Sequence, residues 1–251
     1  MSSVARKFRR KQLVVNPLGQ EPPVLIVRPH KPENLTQQQT SAFITRAIVR
    51  RIAECQPFPS KAPELARNYA IADFLANYPK KSHIFFLDDD SPPQNPFAIE
   101  RLLSLNKPVV CGVTPIWRYS KTQDSFDLLW SVIVTEEGHT EEAPKLDNIG
   151  IDELPKTLFK AYRTGGTCLL IRREVLEKLT KPYQKTTYND DITDVTKSED
   201  IYFCDQIRKA GFDIWVDPET VCSHYHYLDI AEVFNVFLTA EKIIQKRQRK
   251  V

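Results

Sequence analysis

His83-Ile84-Phe85-Phe86-Leu87-Asp88-Asp89-Asp90-Ser91-Pro92-Pro93 drives an apolar run straight into three carboxylates and then into two prolines. A short apolar run bounded by turn residues reads as a buried strand. Three acidic groups at its end repel one another unless positive charge sits among them. If the chain stays extended past Leu87, alternate side chains share a face. Asp88 and Asp90 then point together and Asp89 points away. Two carboxylates on one face favour a hard divalent cation such as Mg²⁺ or Mn²⁺.

Working outward, strands and helices alternate. Val24 to Pro29 (VLIVRP) reads as a first strand that stops at Pro29. Leu35 to Glu54 and Pro59 to Tyr78 have helical apolar spacing, the second with Ser60 as a candidate cap and Pro63 in its first turn. After the acidic triplet come a short helix at Pro96 to Asn106, a buried strand at Pro108 to Pro115 and a strand at Leu128 to Val134. Residues 136–156 read as a surface loop. Leu158 to Leu179 reads as strand, tight glycine turn, strand and helix. Tyr183 to Lys197 is polar and loop-like. Ser198 to Phe212 reads as a helix that Ser198 caps and Gly211 ends. Asp213 to Pro218 is a strand, followed by Val221 to Tyr227 (VCSHYHY), and an amphipathic helix is expected from about Asp229 to Lys246. Such alternation predicts an α/β fold with a mostly parallel sheet flanked by helices. Ligands in such sheets lie at the carboxyl ends of strands, where the triplet falls.

The 251 residues suit one catalytic domain, expected over 23–228, with a basic N-terminal arm at 1–22 and a basic C-terminal helix at 229–251. A composition of 41% hydrophobic and 27% charged residues is that of a globular chain. Only 7 glycines against 18 prolines, with no GxGxxG or Walker-type run, argue against a glycine-rich phosphate loop. The net charge of +3 is mild, but Ala5 to Lys11 and Lys242 to Lys250 are basic. They suit either solvated tails or contact with a polyanion such as DNA. Five cysteines with no CxxC read as reduced, buried, small hydrophobes. The sequence has no signal-like start and no run of about 18 apolar residues, from which a cytoplasmic chain without a membrane span is expected.

Four further groups carry candidate chemistry. His224 and His226 flank Tyr225, and either could add an imidazole to an ion held by aspartates. Glu199 and Asp200 suit the positive end of a helix, and either capping or general-base work would explain them. Gly165 and Gly166 form either a simple hairpin turn or a point of close ligand approach. Arg67 is either a solvated helix arginine or a phosphate partner facing a cleft.

Taken in order, VRP, ARNYAIADFL, HIFFLDDDSPP, YRTGGTCLLIRREVLEKL and SEDIYFCDQIRKAGFDIWVDPETVCSHYH resemble the GT-A class of nucleotide-sugar glycosyltransferases. The likeness is to family-two-like enzymes of bacteriophage and bacterial type and spans roughly residues 23–227. It implies a GT-A (Rossmann-like) fold and a metal-dependent transfer of sugar from a nucleoside-diphosphate sugar, UDP-linked by expectation, to an acceptor hydroxyl. Asp88 and Asp90 match the metal-binding DxD pair for Mn²⁺ or Mg²⁺, and His224, with His226 as the alternative, matches a late metal-binding histidine. Asp200, beside Glu199, matches the base. Arg28, Pro29, Arg67, Asp89, Gly165 and Gly166 match the donor side. Inversion at the anomeric carbon follows from the same likeness. A nucleotidyltransferase or metal-dependent phosphohydrolase would also use clustered carboxylates at a strand end. A DNA-binding protein, or an enzyme glycosylating modified bases of phage DNA, is the alternative that the basic ends suggest.

Overall fold

The computed structural model describes residues 20–30, 37–59, 62–120, 125–135 and 146–225. Residues 1–19 of the basic N-terminal arm, the expected C-terminal helix and His226 lie outside them. In chain order the elements are β1 (Val24–His30), α1 (Gln38–Val49), β2 (Ala53–Pro59), α2 (Pro63–Asn77), β3 (His83–Phe86), α3 (Ala98–Ser104) and β4 (Val109–Val113). There follow β5 (Pro115–Ser120), β6 (Ser125–Thr135), β7 (Leu146–Gly150), β8 (Phe159–Ala161), β9 (Arg163–Thr164) and β10 (Leu169–Arg172). The described chain ends with α4 (Arg173–Leu176), β11 (Thr187–Tyr188), β12 (Val195–Lys197), α5 (Glu199–Lys209) and β13 (Ile214–Val221).

A seven-stranded sheet in the order β2-β1-β3-β10-β4-β13-β8 forms the centre of this α/β fold. β1 runs parallel to β2 and β3, and β4 runs parallel to β13. β10 is inserted antiparallel between β3 and β4, and β8 lies antiparallel at the edge. Side chains alternate across the pleat. Leu25, Val27, Ile84, Phe86 and Cys111 pack with Ala70, Ile71 and Phe74 of α2 and Phe203 and Ile207 of α5. Val24, Ile26, Phe85 and Val110 pack on the other face with Phe43 and Ala47 of α1 and Ile99 and Leu102 of α3. Both faces are therefore covered, which is why β3 and β4 read as unbroken apolar runs rather than alternating ones. A smaller sheet of β5, β6 and β7, with β9 also paired to β6, lies beside it.

Several boundaries differ from expectation. α1 stops at Val49 because Arg51 takes a left-handed φ of 57°. Ala53 and Glu54, expected at the end of that helix, open β2 instead. β2 carries Pro57 and Pro59, yet among the described residues it is an edge strand paired only with β1, where a missing N–H is tolerated. β1 runs through Pro29 to His30 rather than stopping there. The cap of α2 is Ala62, with Pro63 in the first turn as expected, and Ser60 lies outside the described residues. The 136–156 stretch contains β7, and the 183–197 stretch forms the β11–β12 hairpin. Gly211, at φ +86°, ends α5 as expected. All five cysteines are free thiols and four are buried. Among the described residues, no helix is long and apolar enough to cross a membrane.

Candidate active site

The rim where β1, β3, β4 and β13 finish gathers most of the singled-out residues. β3 pairs only to Phe86, and Leu87 N–H still donates to the Val27 carbonyl at 3.0 Å. Beyond it the chain turns. Asp88 N–H donates to Thr167 Oγ1 at 3.1 Å, and Ser91 N–H reaches the Asp88 carbonyl. The extended alternation expected for Asp88 and Asp90 therefore stops at the strand end, and each carboxylate finds a different partner.

Asp88 accepts from Arg67 Nη2 at 2.9 and 3.3 Å. Asp89 faces Arg28 Nε at 3.4 Å, while its carbonyl accepts from Gln37 N–H and Thr40 Oγ1. Asp90 Oδ1 accepts from Ser91 Oγ at 2.8 Å. The repulsion posed by the triplet is thus relieved in this structure by two arginines and a hydroxyl. Arg67 is not the solvated helix residue its sequence allowed. It is 4% exposed, on the α2 face that also buries Ala70, Ile71 and Phe74.

The other end of the same guanidinium holds the start of α5. Arg67 Nη1 donates to Asp200 Oδ1 at 2.7 Å and lies 3.5 Å from Glu199 Oε1. Ser198 is the residue before the helix, but its side chain makes no capping bond. Burial pushes the Asp200 carboxyl up. Arg67 pulls it down, Glu199 and Asp88 raise it, and a Gly166 N–H bond lowers it, leaving it raised from 3.8 to about 6. Burial works against the charge of Arg67, but Asp200, Asp88 and Glu199 more than offset that and hold it firmly protonated. A carboxyl near 6 is largely ionised at neutral pH and still basic enough to take a proton.

Gly165 and Gly166 do not close a hairpin between their flanking strands. β9 pairs with β6 and Gly165 N–H donates to Ser131 O, whereas β10 enters the central sheet. The two glycines differ in what they make room for. A Cβ on Gly165 would meet Ser131 at an ordinary 3.5 Å. A Cβ on Gly166 would lie 2.6 Å from Arg67 Cζ and Nη1, and closer still to Asp200 Oδ1. Gly166 is the wall against which the Arg67–Asp200 pair lies.

The segment after β13 closes over the triplet. Cys222 N–H donates to Val113 O, Ser223 N–H to Pro92 O and Tyr225 N–H to Asp90 O at 2.9 Å. His224 Nδ1 lies 2.8 Å from the Pro115 carbonyl, which can only accept. The neutral ring therefore carries its proton on Nδ1 and its lone pair on Nε2, the arrangement that metal-binding imidazoles adopt. Among the described residues, no three His, Cys, Asp or Glu side chains stand together as a ready metal site. The oxygen of Asp90 and the Nε2 of His224, on hydrogen-bonded neighbouring segments, are donors of a chemistry that suits Mn²⁺ or Mg²⁺. Asp88, the other acid expected to bind metal, accepts from Arg67 here.

Sequence reasoning missed Thr167, which anchors the Asp88 amide, and Pro115, which orients His224. Nothing in the local sequence marks either. It also missed a groove of about 1050 Å³ between β2 and α2, lined by Phe58, Leu65, Ala66, Tyr69 and Tyr183 among others.

No protein-family model matches the chain. No curated protein matches it either. Among solved structures, the crystal structure of A197 from STIV is similar with a TM-score of 0.48 and 17% identity, over 82% of this chain and 86% of that one. The crystal structure of GalNAc-T7 with UDP, GalNAc and Mn²⁺ is similar with a TM-score of 0.47 and 9% identity, over 84% of this chain. The chain spans 45% of the length of GalNAc-T7.

Proposed function

We propose that the chain is a glycosyltransferase that moves a sugar from a nucleoside-diphosphate sugar, with UDP as the nucleotide, to an acceptor hydroxyl with inversion. The observation that carries this reading is the carboxylate of Asp200. It is raised to about 6 and held at the strand-end rim beside the acidic turn 88–90. In the reaction, Asp200 accepts the proton of the acceptor hydroxyl. The acceptor oxygen bonds to the anomeric carbon as the bond from that carbon to the diphosphate oxygen breaks. The electron pair of the broken bond leaves on the nucleoside diphosphate. Glu199 keeps the rim electronegative around the base, and Gly165 borders the transferred sugar. The nucleoside lies by Arg28 and Pro29 at the end of β1, with the groove between β2 and α2 open beside it. Asp88 and Asp90, with His224 or alternatively His226, would hold a divalent ion, which would supply positive charge for the departing diphosphate.

Thermal unfolding with UDP and Mn²⁺, together with a screen of nucleotide-sugars read by nucleotide release and product mass, tests the proposal. The expected result is stabilisation by UDP with Mn²⁺ that Asp90→Ala loses. Asp200→Asn should retain that stabilisation but transfer no sugar. Nucleotide hydrolysis with no sugar transferred to any acceptor would instead support the phosphohydrolase reading and refute this one.

A further inference from the structure

The two carboxylates joined by Arg67 come from distant parts of the chain, Asp88 lying 21 residues and Asp200 133 residues from it in sequence. Both Nη groups of the guanidinium are engaged, one by each carboxylate, and the side chain is 4% exposed. A planar fork with donors at fixed angles sets a distance and a relative orientation, which a flexible ammonium does not. Its slot depends on Gly166, where a Cβ would lie 2.6 Å from Arg67 Cζ and Nη1. To contact a diphosphate, this buried guanidinium would have to give up one of its two carboxylates and leave that acid without its ion pair.

We propose that Arg67 is a positioning residue and not a ligand of the donor: it fixes the base Asp200 relative to the donor-side turn at Asp88, from a slot that Gly166 keeps open. This role rests on the transferase reading above. A misplacement of about 1 Å in a base can cost about a hundredfold in rate without touching substrate affinity. The role therefore separates cleanly from donor binding.

The test uses the full chain and its Arg67→Lys and Gly166→Ala variants, with thermal unfolding of each as the folding control. UDP affinity is measured by calorimetry and transfer by kcat and KM. The expected outcome is a UDP Kd within about threefold of wild type, a donor KM that is similarly unchanged, and a kcat lower by about a hundredfold in both variants. Gly166→Ala removes no charge, so its loss of kcat reads displacement of the Arg67–Asp200 pair, and Arg67→Lys, which leaves Gly166 in place, reads the part that belongs to the guanidinium. A UDP Kd that rises in step with the loss of kcat/KM in Arg67→Lys overturns the proposal, as does an unchanged kcat in Gly166→Ala. Should either variant fail to fold, the wild-type chain labelled with ¹⁵N-arginine decides. The Arg67 Nη–H signals, slowed in rotation by both carboxylates, should stay in place as UDP is added. Their shift or broadening on saturation overturns the role. A wild-type chain that binds UDP but transfers no sugar refutes the transferase reading itself, a result distinct from a change in UDP affinity in the variants.

Discussion

Replacing Asp200 by Asn should stabilise the fold at neutral pH, and the gain should disappear in acid. Asp88, Glu199 and Asp200 surround a single Arg67, so the cluster holds more negative than positive charge. Asn keeps an oxygen that accepts from Arg67 and sheds the excess charge. The rise of Asp200 from 3.8 to about 6 corresponds to roughly 3 kcal/mol at about 1.4 kcal/mol per unit. Solvent reaches the 28% exposed side chain, and its screening reduces that to about 1–2 kcal/mol. The sign follows from proton linkage. With its pKa raised on folding, Asp200 binds more protons folded than unfolded between pH 3.8 and about 6. Its cost is absent below that window and complete above it. Urea unfolding of both proteins from pH 7.5 to 4 should show the variant about 1–2 kcal/mol more stable at neutral pH, or roughly 2–8 °C in Tm. The gap should close as pH approaches 4. Because only the difference is read, titrating groups remote from the cluster cancel. A gap that is absent at pH 7, or that widens in acid, would refute this account of the cluster.

His83 has the opposite sign. Burial, aided by Arg172 and opposed by Glu174, pulls its imidazole down to about 4, so its contribution is present above pH 6.5 and lost as pH falls toward 4. His83→Gln should flatten the acid limb of the stability profile, and an unchanged limb counts against that assignment. Asp217, 2% exposed, accepts from Arg101 and Thr220. Removing it as Asp217→Ala should cost about 3–5 kcal/mol and lower Tm by roughly 10 °C, and a drop under about 2 °C would show the pair to be superfluous. Phe203 is 1% exposed and meets Phe86 edge-on at 6.2 Å. Phe203→Ala should cost about 3–5 kcal/mol in urea unfolding, and a loss below about 1 kcal/mol would mean that α5 is held mainly by other contacts.

The apolar runs of β1, β3 and β4 were legible because covering both faces of a sheet erases alternation and leaves continuous hydrophobicity. The glycine stop of α5 was legible because a left-handed residue there needs no Cβ. β2 was not, since two prolines on an edge strand look like a loop until the neighbouring strand is known. The nearness of Asp88 and Asp200 to a common partner was foreshadowed only by residue type. One signal for it was nonetheless present. Positions 67, 70, 71 and 74 follow the i, i+3, i+4, i+7 pattern of a buried stripe, and an arginine on such a stripe must find acids inside the fold. What answers the charge of the triplet could not be read locally, because Arg28 and Arg67 reach it through the tertiary arrangement.

The ion pair between Arg67 and Asp200 joins residues 133 positions apart, and this has a consequence for how the protein matures. As the chain leaves the ribosome, α2 and the nearby Asp88 are complete long before the second acid that pairs with Arg67 has been synthesised. Closing so long a loop is a late and entropically costly event. Until then the N-terminal half carries, on the face it must bury, a guanidinium with only Asp88 of its two hydrogen-bonded carboxylates in place. Fragments cut before α5 should therefore collapse poorly and attract chaperones, and the site should acquire its geometry in the same final step that completes the fold.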